Sequence, residues 1–390
     1  MQSVILSAAR TPIGAFMGSL ASQSAPELGA VAIKKAIEMS GINIESVQEV
    51  IMGNVLTGGV GQAPARQAAI YSGLPKSVEC MTINKVCGSG LKAVMLADQS
   101  IRSGGSEVFI AGGQESMTNA PYVLPKAREG YKMGNGELID SMVNDGLWDI
   151  YNKFHMGNAG EMCAAEYNFS REAQDEFAVT SYKRAIEAQE KGYFNDEIAA
   201  VTIKSRKGDV VVDKDEEPLK VKFEKVSSLR PAFVKDGTIT AANASSIDDG
   251  AAALVVTSDE FADKNNLKPI ARIIAHNSYA HQPEWFTTAP AAAIKKVLAK
   301  ANMNVNDIDL FEINEAFSCV PMHSMKDLNI PHEKVNINGG AVALGHPIGA
   351  SGARILVTLI HALKRTGGKY GLASLCIGGG EGNAMIIEML

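Results

Sequence analysis

The sequence predicts an α/β protein of two duplicated halves with a loop domain inserted between them. The first basis for this prediction is internal repetition. Three pairs of segments resemble each other in the same order along the chain: 32–54 and 293–314, 89–105 and 351–368, and 110–117 and 376–385. Because the offset within the pairs stays nearly constant, we infer a duplication rather than chance similarity.

The second basis is the alternation of helices and strands. Helices are predicted over 28–39 and 88–102 in the first half, and over 290–300 and 350–365 in the second half. In each half a β-rich run separates the two helices, and a strand ending in glycines follows them. Strands that alternate with helices are typical of sheets covered by helices on both faces. The two halves are therefore expected to stack as α/β units.

The domain boundaries follow from where the repeated order stops. Residues 1–117 are predicted to form an N-terminal half that residues 246–267 complete, and residues 268–390 are predicted to form a C-terminal half. Residues 118–245 lack the repeated order and are interpreted as the inserted loop domain. A chain of 390 residues suits this division, since it exceeds what one hydrophobic core usually organises.

Two segments of the insertion have a recognisable character. The polar segment REAQDEFAVTSYKRAIEAQEKG at 171–192 predicts a helix. The charged, lysine-rich segment KGDVVVDKDEEPLKVKFEK at 207–225 is interpreted as a solvated surface hairpin.

Composition excludes several classes of function. Hydrophobic residues make up 46% of the chain and charged residues 21%, as in an ordinary soluble globular protein. The net charge of −6 provides no overall basic field, so neither nucleic acid nor an anionic membrane is expected as a partner. The first residues lack the basic start of a secretory signal, and no stretch is apolar for long enough to span a membrane. We expect a cytoplasmic protein.

The cysteines are scattered, odd in number and without any CxxC pair: Cys80, Cys87, Cys163, Cys319 and Cys376. This distribution argues against a disulfide framework and against a zinc site, so no metal is expected. Cys80, Cys163 and Cys319 have no glycine-rich surroundings and are predicted to be structural.

Cys87 stands between an apolar strand and a helix start in TINKVCGSGLKAVML. Gly88 and Gly90 permit close approach of the backbone to a ligand. Free N–H groups at a helix start favour a thiolate, so we predict a lowered pKa and a nucleophilic role for Cys87. The alternative is a packing cysteine beside a turn.

His346 occupies the equivalent place in the second half, between Gly345 and Pro347 and just before a helix. The small residues around it leave an imidazole little to pack against, which favours general acid–base work over a packing role.

Two further positions complete the candidate site. Cys376 follows an apolar strand and precedes three glycines whose N–H groups could bind an anion. Its repeat partner is Ile110, which indicates a functional asymmetry between the halves unless the difference is simple drift. Asn314 in FEINEAF could orient a water at the site, whereas its repeat partner Asn54 leaves a backbone-capping role open.

The motifs VCGSG, NEAF, GHPIGASG and CIGGGEG, in this order, resemble the thiolase family over essentially the full chain. The segment NKVCGSGLKAV is more similar to the biosynthetic members, the acetyl-CoA acetyltransferases, than to the degradative ones. The resemblance implies a five-layered α-β-α-β-α fold and a loop domain that binds coenzyme A. It also implies a homotetramer, or dimer of dimers, with residues 128–140 in the tetramer-forming loop.

The resemblance further implies a mechanism. The Cys87 thiolate attacks acetyl-CoA, His346 takes the thiol proton, and the N–H groups of Cys87 and Gly378 hold the oxyanion. Cys376 then deprotonates a second acetyl-CoA, whose enolate oxygen is held by His346 and a water positioned by Asn314. The products are acetoacetyl-CoA and CoA, and no metal or redox cofactor is required.

Substrate contacts are implied as well. The positions that match the family's coenzyme and acyl contacts are Leu147, His155, Met156, Phe233, Ala244, Ser245 and Phe317. For His155 an ordinary surface position is the alternative. Phe286 stands where many biosynthetic relatives have methionine, which implies a narrower or differently shaped acyl pocket. An arginine that some relatives direct at the nucleotide is missing near Pro218, leaving Lys220 or Lys222 as weak substitutes.

Three other functions fit parts of the pattern. A degradative 3-ketoacyl-CoA thiolase of fatty-acid β-oxidation shares all four motifs. A ketoacyl synthase that acts on an acyl carrier protein shares the duplicated fold but lacks a second catalytic cysteine, so Cys376 argues against it. A non-catalytic acyl-CoA or lipid carrier would have no reason to retain Cys87, His346 and Cys376 together.

Overall fold

The computed structural model describes residues 1–206 and 208–390. These residues form ten α-helices: α1 Ala25–Ser40, α2 Pro64–Tyr71, α3 Ser89–Arg102, α4 Met156–Glu166, α5 Arg171–Glu190, α6 Asp259–Lys264, α7 Ala289–Ala301, α8 Cys319–Leu328, α9 Ala341–Leu344 and α10 Ile348–Thr366. Among the described helices, none has both the length and the apolar character that crossing a membrane requires.

The described residues also form sixteen strands: β1 Ser3–Arg10, β2 Gly14–Ala15, β3 Glu49–Gly53, β4 Glu79–Ile83, β5 Val108–Ser116, β6 Tyr122–Val123, β7 Ile139–Asp140, β8 Trp148–Asp149, β9 Phe154–His155, β10 Val201–Ile203, β11 Val210–Val212, β12 Asp248–Ser258, β13 Ala271–Ala280, β14 Leu310–Ile313, β15 Tyr370–Ile377 and β16 Glu381–Met389.

Ten of these strands form one mixed sheet in the order β14-β15-β16-β13-β1-β12-β5-β3-β4, with β2 paired to β12. The two halves join where β1 meets β13, through Val4 opposite Arg272 and Ile5 opposite Ala271. Strand β12 lies between β1 and β5, so the chain returns to the first half after the insertion. Each half thus contributes its own part of the sheet, and a short ladder connects the two parts.

Helices and sheet alternate in five layers. Helices α1 and α2 pack on the outer face of the N-terminal strands, and α7 and α8 pack on the C-terminal strands. Helices α3 and α10 lie between the two parts of the sheet, in a core to which both halves contribute. The five-layered fold that the resemblance implied is confirmed.

Local signals set the helix ends. Helix α1 begins three residues earlier than predicted, because the Ser24 N–H donates to the Glu27 carboxylate at 2.8 Å and stabilises the first turn. It ends at Ser40, just before Gly41, whose φ of +69° suits glycine. Helix α10 is buried at every position from Ile348 to Leu363, which makes it the central helix of the molecule.

Helices α3 and α10 cross at two glycines. A β-carbon added to Gly90 would lie 2.7 Å from a backbone nitrogen of α10, and one added to Gly352 would lie 2.5 Å from a backbone nitrogen of α3. A side chain at either position would push the helices apart. Because each helix begins beside a candidate catalytic residue, this crossing brings Cys87 and His346 together from distant parts of the chain.

The insertion contains α4 and α5 and only short strands. Helix α5 confirms the helix predicted at 171–192. The surface hairpin predicted at 207–225 is wrong in its extent, since the observed hairpin pairs β10 with β11 and residue 207 lies outside the described residues. After β11 the chain turns inward, because the fully buried Asp215 accepts two hydrogen bonds from the Arg10 guanidinium at 2.7 and 2.8 Å.

Candidate active site

One cavity of about 220 Å³ lies where the insertion meets the two halves. Eleven of the predicted site residues line it: Cys87, Leu147, His155, Met156, Phe233, Ala244, Ser245, Phe286, Phe317, His346 and Gly378. The other two are buried beside it. Asn314 contacts the His346 ring, and Cys376 packs in a cluster with Met156 and Phe317. The structure thus brings all the predicted site residues to one place.

Cys87 lies in a tight loop between β4 and α3. Val86, just before it, has a φ of +46°, a left-handed conformation that strains a β-branched residue. Two hydrogen bonds hold the loop: the Val86 N–H donates to Asn84 Oδ1 at 2.9 Å, and the Lys85 N–H donates to Ser89 Oγ at 2.8 Å. The strained turn presents Cys87 to the cavity.

Gly88 lets this loop approach the strand that carries Cys376. A β-carbon added to Gly88 would lie 2.3 Å from Ile377 Cδ1, so a larger residue would separate the loop from β15. Burial raises the pKa of Cys376 well above its usual value, and the neighbouring Cys87 raises it further. Cys87 is therefore close enough to Cys376 to affect the ionisation of the Cys376 thiol.

The pKa of Cys87 is raised to about 11. Desolvation is the largest cause and outweighs the hydrogen bonds from the N–H groups of Gly378 and Cys87, which lower the pKa. The predicted lowering by the helix start is therefore wrong in its net direction, because protein atoms enclose the thiol although the residue keeps some exposure to the cavity. A base must take the proton before the sulfur can attack.

His346 is placed to be that base. Its Nδ1 lies 2.5 Å from Ser351 Oγ, whose hydroxyl donates to the Pro347 carbonyl at 2.9 Å. The only proton of the Ser351 hydroxyl is used in the bond to the Pro347 carbonyl, so the hydroxyl oxygen must accept a hydrogen bond from His346 Nδ1. The ring proton is therefore on Nδ1, and Nε2 keeps its lone pair. Burial and then the positive charge of Arg354 lower the pKa of His346 to about 3. The ring is neutral at physiological pH and can accept a proton at Nε2.

The histidine loop is held by a residue of the other half. Gly345 has a φ of +107°, and a β-carbon there would lie 2.4 Å from the Asp248 carboxyl carbon. The His346 N–H donates to Asp248 Oδ2 at 2.8 Å. Because Asp248 begins β12 and His346 precedes α10, the site depends on both halves being assembled.

Asn314 directly follows β14. Its Nδ2 lies 3.4 Å from His346 Nε2, and its Oδ1 lies 3.4 Å from Arg354 Nη2. The side chain contacts other side chains rather than capping the backbone, and its repeat partner Asn54 likewise donates to the Glu115 carboxylate at 2.6 Å. The position suits binding of an oxygen atom beside His346, and the water-orienting role stays a prediction.

The outer wall of the cavity is aromatic. His155 stacks on Phe233 with ring centroids 4.8 Å apart, and its Nδ1 accepts a hydrogen bond from the Gly157 N–H at 3.1 Å. Burial lowers the pKa of His155, so it is a half-buried, neutral ring and not an ordinary surface histidine. Phe317 lies near both Phe233 and Phe286, with centroid distances of 6.0 and 6.5 Å. These rings form an apolar passage towards Cys87.

Several residues of the site were not predicted from the sequence. The further cavity residues are Met117, Gly146, Ser246, Ile247, Ala316 and Ile348. Small and apolar residues such as these carry no individual signal. The supporting residues Ser351 and Asp248 were also not predicted, although Ser351 lies inside the GHPIGASG motif, in the first turn of the helix that follows His346.

The basic residues proposed for a phosphate contact lie outside this cavity. Lys220 and Lys222 line a separate cavity of about 260 Å³. Lys220 pairs with Glu216 at 2.8 Å and with Glu217 at 3.3 Å, so part of its charge is already neutralised. Within the described residues, no group of three or more histidine, cysteine or acidic side chains is arranged to hold a metal ion.

Known proteins and family models match this chain along nearly its whole length. The family model described as "Thiolase, N-terminal domain" matches residues 3–260, and "Thiolase, C-terminal domain" matches residues 267–389. An acetyl-CoA acetyltransferase of Cupriavidus necator is 54% identical over 99% of this chain and 98% of its own length. The mitochondrial acetyl-CoA acetyltransferase of Mus musculus is 54% identical over 99% of this chain and 91% of its own length. The crystal structure of the Acat5 thiolase from Ascaris suum in complex with coenzyme A has a TM-score of 0.95 at 45% identity and covers all of both chains.

A cysteine that lines a cavity and needs a neighbouring base, with a second thiol near it, suits an enzyme that carries an acyl group on sulfur. The fold and the site thus define an acyltransferase, which excludes a non-catalytic carrier. The chain belongs to the thiolase family.

Proposed function

We propose that this chain is an acetyl-CoA C-acetyltransferase, which condenses two acetyl-CoA reversibly to acetoacetyl-CoA and CoA through an acetyl-Cys87 intermediate. The observation that carries the proposal is the thiol pair, with Cys87 on the cavity and Cys376 buried beside it. The neutral His346 next to Asn314 supplies the base and a place for an oxygen atom. The names of relatives at 54% identity support acetyl-CoA as the substrate.

The first step forms the acetyl-enzyme. His346 Nε2 removes the proton from Cys87 Sγ, and the sulfur attacks the thioester carbonyl. The N–H groups of Gly378 and Cys87 already donate to this sulfur, so they are placed to stabilise the oxyanion, at roughly 3 kcal/mol for each donor. The bond to the coenzyme sulfur then breaks, and His346 returns its proton to the leaving CoA thiolate.

The second step forms the carbon–carbon bond. Cys376 gives up its proton to His346 and, as a thiolate, removes a proton from the methyl carbon of the second acetyl-CoA. The enolate oxygen accepts hydrogen bonds from the protonated His346 and from a water held by Asn314. The carbon attacks the acetyl group on Cys87, the carbon–sulfur bond breaks, and His346 returns its proton to the Cys87 sulfur. Each residue ends in its starting state.

The proposed substrates are coenzyme A thioesters, and both steps move only protons and acyl groups, so no metal or redox cofactor is included. A homotetramer is part of the proposal, supported by the exposed apolar side chains of Tyr131, Met133 and Leu138 in the 128–140 loop. The cytoplasm is the proposed compartment. Five free cysteines suit a reducing environment, although the mouse relative is named mitochondrial.

The proposed function is tested by chain length. Thiolysis of acetoacetyl-CoA is expected to exceed thiolysis of 3-ketodecanoyl-CoA by about tenfold or more in kcat/KM, because the small aromatic cavity limits the acyl chain. Steady-state assays with both substrates provide the measurement. Faster thiolysis of the long substrate would instead indicate a degradative thiolase.

Phe286 is expected to set part of this limit. It is buried in the cavity wall near Phe317. Phe286→Ala should raise the kcat/KM ratio of 3-ketopentanoyl-CoA to acetoacetyl-CoA by roughly tenfold, since the one extra methylene accommodated is worth about that much. Phe286→Met serves as the graded control and should give an intermediate ratio. An unchanged ratio in the alanine variant would show that this ring does not border the acyl chain.

A further inference from the structure

Helix α10 carries a buried arginine that the mechanism above does not use. Arg354 is 1% exposed. Its Nη2 lies 3.4 Å from Asn314 Oδ1, and its Nη1 lies 3.5 Å from Glu312 Oε2. Ser351, one turn earlier on the same helix, contacts Nδ1 of His346. Helix α10 therefore supplies both the arginine behind Asn314 and the serine behind His346.

The arginine decides which way the Asn314 amide points. A guanidinium has only hydrogen-bond donors, so it can bind the amide oxygen of Asn314 but not the amide nitrogen. With Oδ1 held on the Arg354 side, Nδ2 is left on the His346 side, 3.4 Å from Nε2. Without Arg354, nothing in these contacts would prevent the amide from turning over and presenting its oxygen to His346.

The positive charge of Arg354 is incompletely balanced. Burial raises the pKa of Glu312 to about 8 even though Arg354 opposes this shift, so its carboxyl is largely protonated at neutral pH. Among the described groups, none accepts a hydrogen bond from Arg354 Nε or Nη1. Burying such a cation is costly, and its field reaches the catalytic histidine, whose pKa it lowers. A buried positive charge beside Asn314 and His346 destabilises the fold, so its presence there indicates a role in the reaction.

We propose that Arg354 is a positioning residue for the carbon–carbon bond step: it fixes the amide of Asn314 beside His346 and stabilises the negative enolate there. This inference rests on the proposed function. The Cys87 acetylation step uses the N–H groups of Cys87 and Gly378 for its oxyanion, and no hydrogen bond joins these groups to Arg354. Its base, His346, stays neutral without Arg354, because burial is the larger cause of its lowered pKa. Loss of Arg354 should therefore separate the two half-reactions.

Thr358 offers a matched control. It is fully buried and polar, on the same helix one turn after Arg354, and its hydroxyl donates to Glu197 at 3.1 Å. That contact belongs to the Arg10 ion-pair cluster, which is remote from Asn314 in the hydrogen-bond network. Thr358→Val thus tests the effect of disturbing buried polar contacts of α10 without altering the Asn314 amide.

The experiment measures both half-reactions in the full-length protein. Exchange of labelled CoA into acetyl-CoA reports acetylation of Cys87, and exchange of acetyl-CoA methyl protons with D₂O reports enolate formation. For Arg354→Gln we expect proton exchange and condensation to fall about 100-fold, as for a misplaced catalytic group, with less than about threefold change in CoA exchange. Arg354→Lys keeps the charge and should recover part of the proton exchange. Thr358→Val should affect neither rate selectively.

Equal slowing of both half-reactions in Arg354→Gln, or no slowing of proton exchange, would overturn the inference. If the single variant does not fold, the double variant Arg354→Met with Glu312→Met removes the arginine together with the carboxyl group beside it, and it should show the same selective loss. Absence of CoA exchange in the wild-type protein would instead refute the proposed function, so the two failures are distinguishable.

Discussion

Cys87→Ala is expected to abolish acetyl transfer, with a loss in kcat of about 10⁴-fold or more. In the mechanism above the sulfur of Cys87 is the covalent carrier, and no other thiol lines the cavity among the described residues. Mass spectrometry of the wild-type protein incubated with acetyl-CoA should show one acetyl group on the peptide that contains Cys87. The variant should show none.

Cys163→Ala is the control for this experiment. Cys163 is fully buried in the cluster that borders the cavity, but it does not line the cavity. Its replacement should leave both the acetyl adduct and the turnover close to wild type. Persistence of the adduct in Cys87→Ala, or its loss in Cys163→Ala, would contradict the assignment of Cys87 as the acyl carrier.

Cys376→Ala should cause the second-largest loss of activity, and this loss should affect carbon–carbon bond formation rather than acetylation of Cys87. Without this thiol no base faces the methyl carbon of the second acetyl-CoA, so proton exchange with D₂O and condensation should fall by about 10³-fold, within the range of general-base catalysis. Acetylation of Cys87 should continue, because His346 and the two N–H donors are untouched. Labelled-CoA exchange and proton exchange, measured on the same preparation, separate these outcomes.

Cys319→Ala is the matched control, since Cys319 is equally buried in the same cluster as Cys376. Both rates should stay near wild type in this variant. If Cys376→Ala loses CoA exchange as strongly as proton exchange, Cys376 would instead be required for acetylation, and the division of labour between the two thiols would be wrong.

Much of the fold could be predicted from the sequence because it depends on near neighbours. The helices predicted at 88–102 and 290–300 match α3 and α7 to within a residue or two. Apolar spacing along a helix and glycine at its end are local properties, and the duplication allowed each half to support the prediction for the other. The inward turn at Asp215 could not be predicted, because its ion-pair partner Arg10 is about 200 residues away in the sequence.

The reactive residues of the site could also be predicted from the sequence, but their protonation states could not. The lowered pKa expected for Cys87 was a helix-end argument, and it failed because desolvation by the surrounding protein is the larger effect. The same burial, together with Arg354, makes His346 neutral. The protonated thiol of Cys87 needs a base, and the neutral ring of His346 has a lone pair that can accept the proton. Neither property can be predicted from either motif alone.

The sequence by itself determined the duplicated α/β architecture, the thiolase family and the identity of the reactive residues that meet at the cavity, because repeats, helix signals and motifs are properties of short segments. Only the tertiary structure decided which groups are charged and which way they point. The protonation of Cys87 and His346 depends on how completely the assembled protein excludes water. The orientation of the Asn314 amide depends on Arg354, which helix α10 places behind it. Both are consequences of packing between segments far apart in the chain.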